Sequence, residues 1–204
     1  MPITLNFELN DHDLAHFEAA AERSRKAAEG KSSEDIIAAA VSLLGDAQRT
    51  HIPDFIKARL LHLDDMIAMV RDAGWQLPAE DRRRVLSALA YFADPADIIP
   101  DDVQVLGFLD DAVMIELASR DLKHELDAYD DFCEFRAREA ERRGVDPTSL
   151  GRVDWLDSRR QELQERMHQR RERDFGTGYG RSSGYASGRQ SYVRAWRPGV
   201  FSIG

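Results

Sequence analysis

The sequence predicts an all-α protein: a helical bundle with a short N-terminal strand or arm, one long helix and a disordered C-terminal tail. Three observations lead to this prediction. Apolar residues recur in steps of three and four along most of the chain, glycines and prolines divide that pattern into segments, and the pattern stops from residue 175 onward. An apolar fraction of 43% over 204 residues is enough to build a core.

The first segment, residues 1–50, is predicted to hold the strand and a helical hairpin. Apolar and polar residues alternate with a period of two, which is typical of a half-buried strand. The apolar members are Ile3, Leu5, Phe7 and Leu9. Asp11 or Asp13 is expected to cap a helix that runs to about Ala28, because a carboxylate accepts the free amide hydrogens of the first turn. A second helix is expected to end at Gly45.

A strand followed by two short helices also describes a ribbon-helix-helix DNA-binding arm. In that arrangement the polar side chains of the strand contact bases, and here none of them is basic. Residues 1–45 carry four basic and eight acidic side chains, so the attraction to phosphates that DNA binding requires is missing. A strand that packs against the body or dimerises is the favoured interpretation.

Residues 51–145 are predicted to form the helical core. Pro53 suits the first turn of a helix, where its missing amide hydrogen has no cost. One apolar seam follows it, made of Ile56, Leu60, Leu63, Ile67 and Val70. A second proline followed by two acidic residues starts the next helix. After a connector, the longest helix is expected from about Asp111 to Arg143, with Gly144 as its end.

The last two segments differ sharply in composition. Residues 146–174 are predicted to hold a charged helix, roughly Val153 to Arg173, with few apolar contacts. Residues 175–204 are rich in glycine, serine, arginine and aromatic residues and have no period. We expect this tail to be disordered, because it cannot bury enough apolar area to offset the entropy of the chain.

The connector between the core helices, residues 91–112, contains six aspartates, two prolines and one glycine. An aspartate before a proline ends a helix, aspartate and proline favour turns, and glycine permits a left-handed backbone. An aspartate at a helix start caps the free amides, and one in the first turn interacts with the dipole. The residues to which these structural roles are assigned are Asp94, Asp97, Pro100, Asp101, Gly107, Asp110 and Asp111.

The same connector has an alternative interpretation as a metal site. Asp97, Asp101, Asp110 and Asp111 would converge if the two turns meet, and clustered carboxylates bind magnesium or calcium through oxygen. Adjacent helical residues point about 100° apart, however, so Asp110 and Asp111 cannot both chelate one ion from regular helical positions. The structural interpretation is favoured over the metal interpretation, and no cofactor is predicted.

Part of the connector resembles a known family. The letters DIIPD from Asp97 and GFLDD from Gly107 are similar to the signature of the YkvA-like family, a bacterial domain of unknown function. The resemblance covers roughly residues 82–122 and departs at Gln104, where many relatives are expected to have a proline. It implies helical structure and supplies neither an assigned activity nor catalytic residues. Some relatives are membrane-associated, whereas this chain has no apolar run long enough to span a bilayer.

The tail is the part of the chain with nucleic-acid character. From Gln169 to the end, seven arginines against Glu172 and Asp174 give a charge of +5, whereas the whole chain has −9. Arginine attracts phosphate, and aromatic rings stack on bases. The tail residues predicted to interact with a partner are Arg181, Tyr185, Arg189, Tyr192, Arg194 and Trp196. The partner is RNA in one interpretation and an acidic protein surface, this chain's own included, in another. In a third interpretation the tail is passive and binds no partner.

These observations favour a non-enzymatic adaptor or protein-interaction module of the bacterial cytoplasm. The lone Cys133 allows no intramolecular disulfide, and the N-terminus lacks the features of a signal peptide. The partner would be an unidentified protein or a second copy of the chain, bound through the N-terminal strand or the long helix. The alternatives are a divalent-metal-dependent enzyme or regulator that uses the four connector aspartates, and an RNA-associated protein that acts through the tail.

Overall fold

The structure is a computed structural model that describes residues 9–50, 52–94, 107–150 and 154–176, together with Pro198. All regular secondary structure in these ranges is helical, and they contain no strand. The all-α prediction is therefore confirmed. The predicted N-terminal strand is not supported: residues 1–8 lie outside the described part, and Leu9, its last residue, is not in a strand.

The described residues form seven α-helices. Their bounds are α1 Asp11–Ala27, α2 Ser33–Arg49, α3 Asp54–Arg71, α4 Ala79–Leu89, α5 Leu109–Asp121, α6 Lys123–Arg143 and α7 Asp154–Gly176. Two short 3₁₀ helices, Ala90–Ala93 and Pro147–Ser149, follow α4 and α6.

A side chain different from the expected one caps α1. Asn10 is the cap, and its side-chain oxygen accepts hydrogen bonds from the amides of His12 at 2.9 Å and Asp13 at 3.2 Å. Asp13 returns the contact by accepting from the Asn10 amide at 3.0 Å. The prediction of Asp11 or Asp13 as the cap is wrong, because Asp13 stands at the third helical position of a capping box.

The two glycines expected to end helices behave differently. Gly144 ends α6 with a left-handed φ of +65°, as predicted. Gly45 lies inside α2, which continues to Arg49, so its predicted role as the end of that helix is wrong. Leu44 and Ala47 are both 2% exposed, and burial of these residues on either side of Gly45 outweighs a helix propensity cost of about 1 kcal/mol.

Alanine at these two glycines is expected to change stability in opposite directions. Gly45→Ala should raise the free energy of unfolding by about 0.5–1 kcal/mol, because the added Cβ would meet only the Arg49 guanidinium, at 3.8 Å. Gly144→Ala should lower it by about 1 kcal/mol, since a Cβ is strained at positive φ. Urea denaturation of both variants measures the two changes in the free energy of unfolding. Changes in the same direction would contradict the roles assigned to the two glycines.

The single long helix predicted from Asp111 to Arg143 is wrong. The helical path is interrupted at Leu122, whose φ of −102° and ψ of 17° lie outside the helical region, and α5 and α6 are separate helices. Leu122 is 2% exposed. No proline or glycine marks the break, so the apolar pattern continues through it and predicts one helix.

The chain divides into two compact units. Unit 1 comprises Met1–Leu63 and Arg83–Ala118, and unit 2 comprises Asp64–Arg82 and Ser119–Gly204. Each unit therefore takes two separate stretches of sequence. The division predicted from composition, into residues 1–50, 51–145, 146–174 and 175–204, stays a prediction.

Each unit has its own packed interior. In unit 1, Ala20 of α1, Tyr91 of the first 3₁₀ helix and Met114 of α5 form a buried cluster. In unit 2, α6 packs along α7, where the rings of Phe135 and Trp155 lie 6.0 Å apart. The residues that α7 buries are Leu156, Arg160, Leu163 and Met167.

Candidate functional site

The two ends of the aspartate-rich connector are described, and its middle is not. Asp94 and the residues before it are described, and the description resumes at Gly107. Asp97, Pro100 and Asp101 lie outside the described residues. Their predicted turn, cap and metal roles stay predictions.

Asp94 forms the final cap of the 3₁₀ helix Ala90–Ala93 in unit 1. Its backbone turns to the extended region, with φ −93° and ψ 128°, and its amide donates to the Tyr91 carbonyl at 3.1 Å. Its side chain accepts a hydrogen bond from the Ser24 hydroxyl of α1 at 3.0 Å. Lys31 also donates to the Ala93 carbonyl. The beginning of the connector is therefore fixed to α1 and to the loop that follows it.

The other end of the connector starts α5. The prediction placed Asp110 before this helix as its cap, but the helix begins at Leu109, so Asp110 and Asp111 both lie in the first turn. Negative charge there is stabilised by the positive end of the helix dipole. Asp110 is 1% exposed and Asp111 is 6% exposed. Gly107 and Phe108, just before the helix, are buried as well.

A hydrogen bond joins the two ends of the connector within unit 1. The Tyr91 hydroxyl donates to Oδ2 of Asp110 at 3.3 Å, and both residues are buried. The contact links the first 3₁₀ helix to the first turn of α5. Tyr91 also packs edge-on against Phe92, with ring centroids 5.3 Å apart.

Removal of the Tyr91 hydroxyl is expected to weaken unit 1 while keeping its packing. Tyr91→Phe should lower the free energy of unfolding by about 1–3 kcal/mol, because a buried carboxylate loses a hydrogen-bond donor. Phe92→Leu, a half-buried ring next to it with no hydroxyl, is the matched control for altered packing. Chemical denaturation checks the difference, and an unchanged midpoint for Tyr91→Phe would contradict the role of this contact.

The grouping of potential metal ligands among the described residues bears on the predicted metal site of the connector. No group of three or more histidine, cysteine, aspartate or glutamate side chains in the described ranges has an arrangement that could hold an ion. Two of the four predicted ligands, Asp97 and Asp101, lie outside these ranges, so the four-carboxylate hypothesis stays a prediction.

Unit 2 contains a buried ion pair that the sequence analysis missed. Arg136 of α6 donates from both terminal nitrogens to Asp72, at 3.0 Å to Oδ1 and 2.6 Å to Oδ2. The Tyr129 hydroxyl donates to the same Oδ2 at 3.1 Å. The side chains of Arg136 and Asp72 are only 3% and 5% exposed. Such a bidentate pair fixes the orientation of both groups, besides neutralising their charge.

Burial and neighbouring charges both shift the pKa values of Arg136 and Tyr129. Burial alone would lower the pKa of Arg136, but its hydrogen bond and attraction to Asp72 raise that pKa above the ordinary value. Burial raises the pKa of Tyr129, and the neighbouring Cys133 and Asp72 add to the effect. Arg136 therefore stays charged and Tyr129 stays neutral. Cys133 is buried and lies 3.7 Å from an Arg136 nitrogen.

A second group of charges in unit 2 involves the C-terminal helix. Arg171 of α7 donates to Asp81 at 2.6 Å and to Glu125 at 2.9 Å, and both carboxylates are fully buried. His168, one turn earlier, lies 2.7 Å from the other oxygen of Asp81. Burial would lower the pKa of Arg171, but the hydrogen bonds with Asp81 and Glu125 raise it. This group ties α7 to α4 and α6.

The turn that follows α3 is held in the same unit. Trp75 is fully buried and packs against Phe132, with ring centroids 5.0 Å apart. Gln164 of α7 donates to the Trp75 carbonyl at 2.9 Å, and Arg160 donates to the Gly74 carbonyl at 3.1 Å. The polar groups of α7 that face inward therefore serve to hold helix and turn together.

Residues 82–117 match the model of the family described as "Protein of unknown function (DUF1232)". This match confirms the resemblance found in the connector, since the YkvA-like name is consistent with that family. The segment spans Tyr91, Asp94, Asp110 and Asp111 and coincides closely with Arg83–Ala118 of unit 1. The charged residues of unit 2 described above lie outside it.

The other comparisons add no relative. Neither the search of curated proteins nor the search of solved structures found a match. No described helix combines the length and the apolar character needed to cross a membrane.

Proposed function

We propose that this chain is a non-enzymatic adaptor or protein-interaction module of the bacterial cytoplasm. The connector aspartates would serve as structural residues that fix the helices at the two ends of a loop. Partners would bind to the helical surfaces that this framework presents and to the C-terminal tail.

The observation that supports this proposal best is the hydrogen bonding of the connector ends. Asp94 accepts from the Ser24 hydroxyl, and Asp110 accepts from the Tyr91 hydroxyl. A carboxylate that receives hydroxyl donors from neighbouring helices is stabilised as part of the fold. Asp94 and Asp110, both within the range that the family model covers, would therefore serve as structural residues.

The paired charges of unit 2 give independent support. Asp72 is paired with Arg136, and Asp81 and Glu125 share Arg171, all at hydrogen-bond distance. Catalytic acids and bases are tuned to exchange protons near neutral pH, whereas the contacts of Arg136 and Arg171 keep both guanidinium groups charged. Such pairs suit a framework that holds helices in place.

Affinity purification followed by reconstitution tests the adaptor role. Tagged full-length chain and a chain ending at Gly176, which keeps all of α7, are used to recover proteins from a bacterial lysate. We expect a partner that, once purified, coelutes with the full-length chain as a complex of defined stoichiometry. The shorter chain shows whether that partner needs the tail. A full-length chain that elutes alone at every partner concentration tested would contradict the proposal.

A titration with divalent metal separates the adaptor role from the metal-dependent alternative. A ligand that binds only the folded state raises the melting temperature by mass action. We expect no change in melting temperature with magnesium, calcium or manganese at millimolar concentration. Asp110→Asn is the matched variant, since a metal-dependent rise that disappears in it would overturn the structural role of the connector.

A further inference from the structure

The last turns of α7 lie beside the first turns of α6 within unit 2. Nε2 of His124 is 2.7 Å from the Asp174 carboxylate, and Glu125 accepts from Arg171. At the other end of the pair, Phe135 meets Trp155. The two helices are therefore antiparallel, and the chain that follows Gly176 starts next to the N-terminal half of α6.

One side of this half of α6 carries three acidic residues. Asp127, Asp131 and Glu134 are spaced by four and three residues, which places them on one face of the helix. We name these three residues the α6 acidic face. The side chains of Asp127 and Glu134 are 48% and 50% exposed. The half-buried ring of Phe135 borders this face.

Four cations of the described helices lie near this face: Lys123 and Arg138 of α6, and Arg170 and Arg173 of α7, which line a pocket together with Asp127. Lys123 lies 2.9 Å from Asp127, and Arg138 lies 3.4 Å from Glu134, each within the same helix. The side chains of Lys123 and Arg138 are about two-thirds exposed, at 65% and 66%. Exposed pairs of this kind contribute little to stability, so they can be exchanged for other cations at small cost.

The segment that leaves α7 has the complementary composition. Residues 177–204 contain four arginines and no acidic residue or lysine. Their aromatic residues are Tyr179, Tyr185, Tyr192, Trp196 and Phe201. The first arginine, Arg181, follows Gly176 by five residues, which reach at most about 17 Å. The distance along α6 from His124 to Glu134 is about 15 Å at 1.5 Å per residue.

We propose that residues 177–204 bind to the α6 acidic face of their own chain. The arginines pair with the three carboxylates, and aromatic side chains contact the edge of the face at Phe135. A partner that takes either the tail or this helix surface must then displace an intramolecular contact. The proposal stands whether or not the chain is an adaptor, since it concerns only the chain itself.

Limited trypsin digestion of the full-length chain at low salt tests this contact. Trypsin cuts after Arg181, Arg189 and Arg194, and mass spectrometry of the released peptides gives the rate at each site. A bound tail is protected, so the triple variant Asp127→Asn, Asp131→Asn and Glu134→Gln should be cut roughly fivefold faster, as expected for a few exposed charge pairs. Addition of 1 M salt, at which the Debye length is about 3 Å, should remove the difference from wild type.

The matched control changes the same number of charges in α1 and the loop that follows it. Glu18, Glu22 and Glu29 are exposed, and their replacement by glutamine should leave the cleavage rates unchanged. Circular dichroism verifies that both triple variants keep their helices. Equal rates in wild type and the α6 variant, or equal acceleration in both variants, would overturn the proposal. Protection that increases with protein concentration would also overturn it, because the tail would then bind another copy.

Discussion

Replacement of Arg136 by methionine is expected to lower the free energy of unfolding by about 3–5 kcal/mol. The change removes the guanidinium that neutralises Asp72, whose side chain is 5% exposed. A buried carboxylate without its cation keeps most of the cost of desolvation, since only the Tyr129 hydroxyl and the Gly74 amide still donate to it. The expected loss is a large part of the stability of an ordinary domain. Urea denaturation followed by circular dichroism measures the loss.

Two further variants separate loss of the ion pair from loss of packing. Arg138→Met, on the same helix but 66% exposed, should change stability by less than about 1 kcal/mol. The double variant Asp72→Leu, Arg136→Met should recover most of the loss, because no buried charge remains. A double variant that is no more stable than Arg136→Met would contradict the ion-pair explanation.

Replacement of Arg171 by methionine is the second change with a large expected effect. Asp81 and Glu125 are fully buried, and Arg171 donates to both. The variant should lose about 3 kcal/mol, at the lower end of the range for buried pairs, because the Arg171 side chain is 14% exposed. Since Arg171 lies on α7, we expect this helix to exchange its amide hydrogens much faster than in wild type. Hydrogen exchange with mass spectrometry resolves that change by segment.

The neighbouring arginine provides the control for this variant. Arg170 is exposed, so Arg170→Met removes the same charge from α7 without removing a buried contact. It should leave exchange in α7 unchanged. The triple variant Arg171→Met, Asp81→Asn, Glu125→Gln should regain part of the stability, since the stranded charges are gone. If amide hydrogens of α7 exchanged equally fast in the Arg170 and Arg171 variants, the net charge of the helix alone would determine its stability.

Local signals account for most of the helices that the sequence predicts. Ser32 caps α2 in a box with Asp35, and Gly144 ends α6 in the left-handed region. These contacts involve residues within a few positions of one another, so composition and spacing reveal them. The break at Leu122 has no such local signal, and α2 continues through Gly45 between the buried residues Leu44 and Ala47. Pattern alone predicted both incorrectly.

The polar contacts that hold the interior could not be predicted in the same way. Arg136 and Asp72 are 64 residues apart, and Arg171 and Asp81 are 90 apart. One signal was present for the first pair: Arg136 stands between the apolar positions Phe132 and Ala140 of α6, where a buried arginine requires an acid as its partner. Nothing in the sequence identifies Asp72 as that acid. In the connector, by contrast, the segment that resembles a known family also contains Tyr91 and Asp110, which the structure brings together.

The most direct test of the structural role of the connector is a double-mutant cycle between Tyr91 and Asp110, measured with and without millimolar magnesium. We expect Tyr91→Phe and Asp110→Asn to show a coupling free energy of about 1 kcal/mol or more, typical of a buried hydrogen bond between neighbours. That coupling should be the same in both conditions. Additive effects of the two changes, or a coupling that appears only with the metal, would contradict the assignment of these aspartates to the framework of the fold.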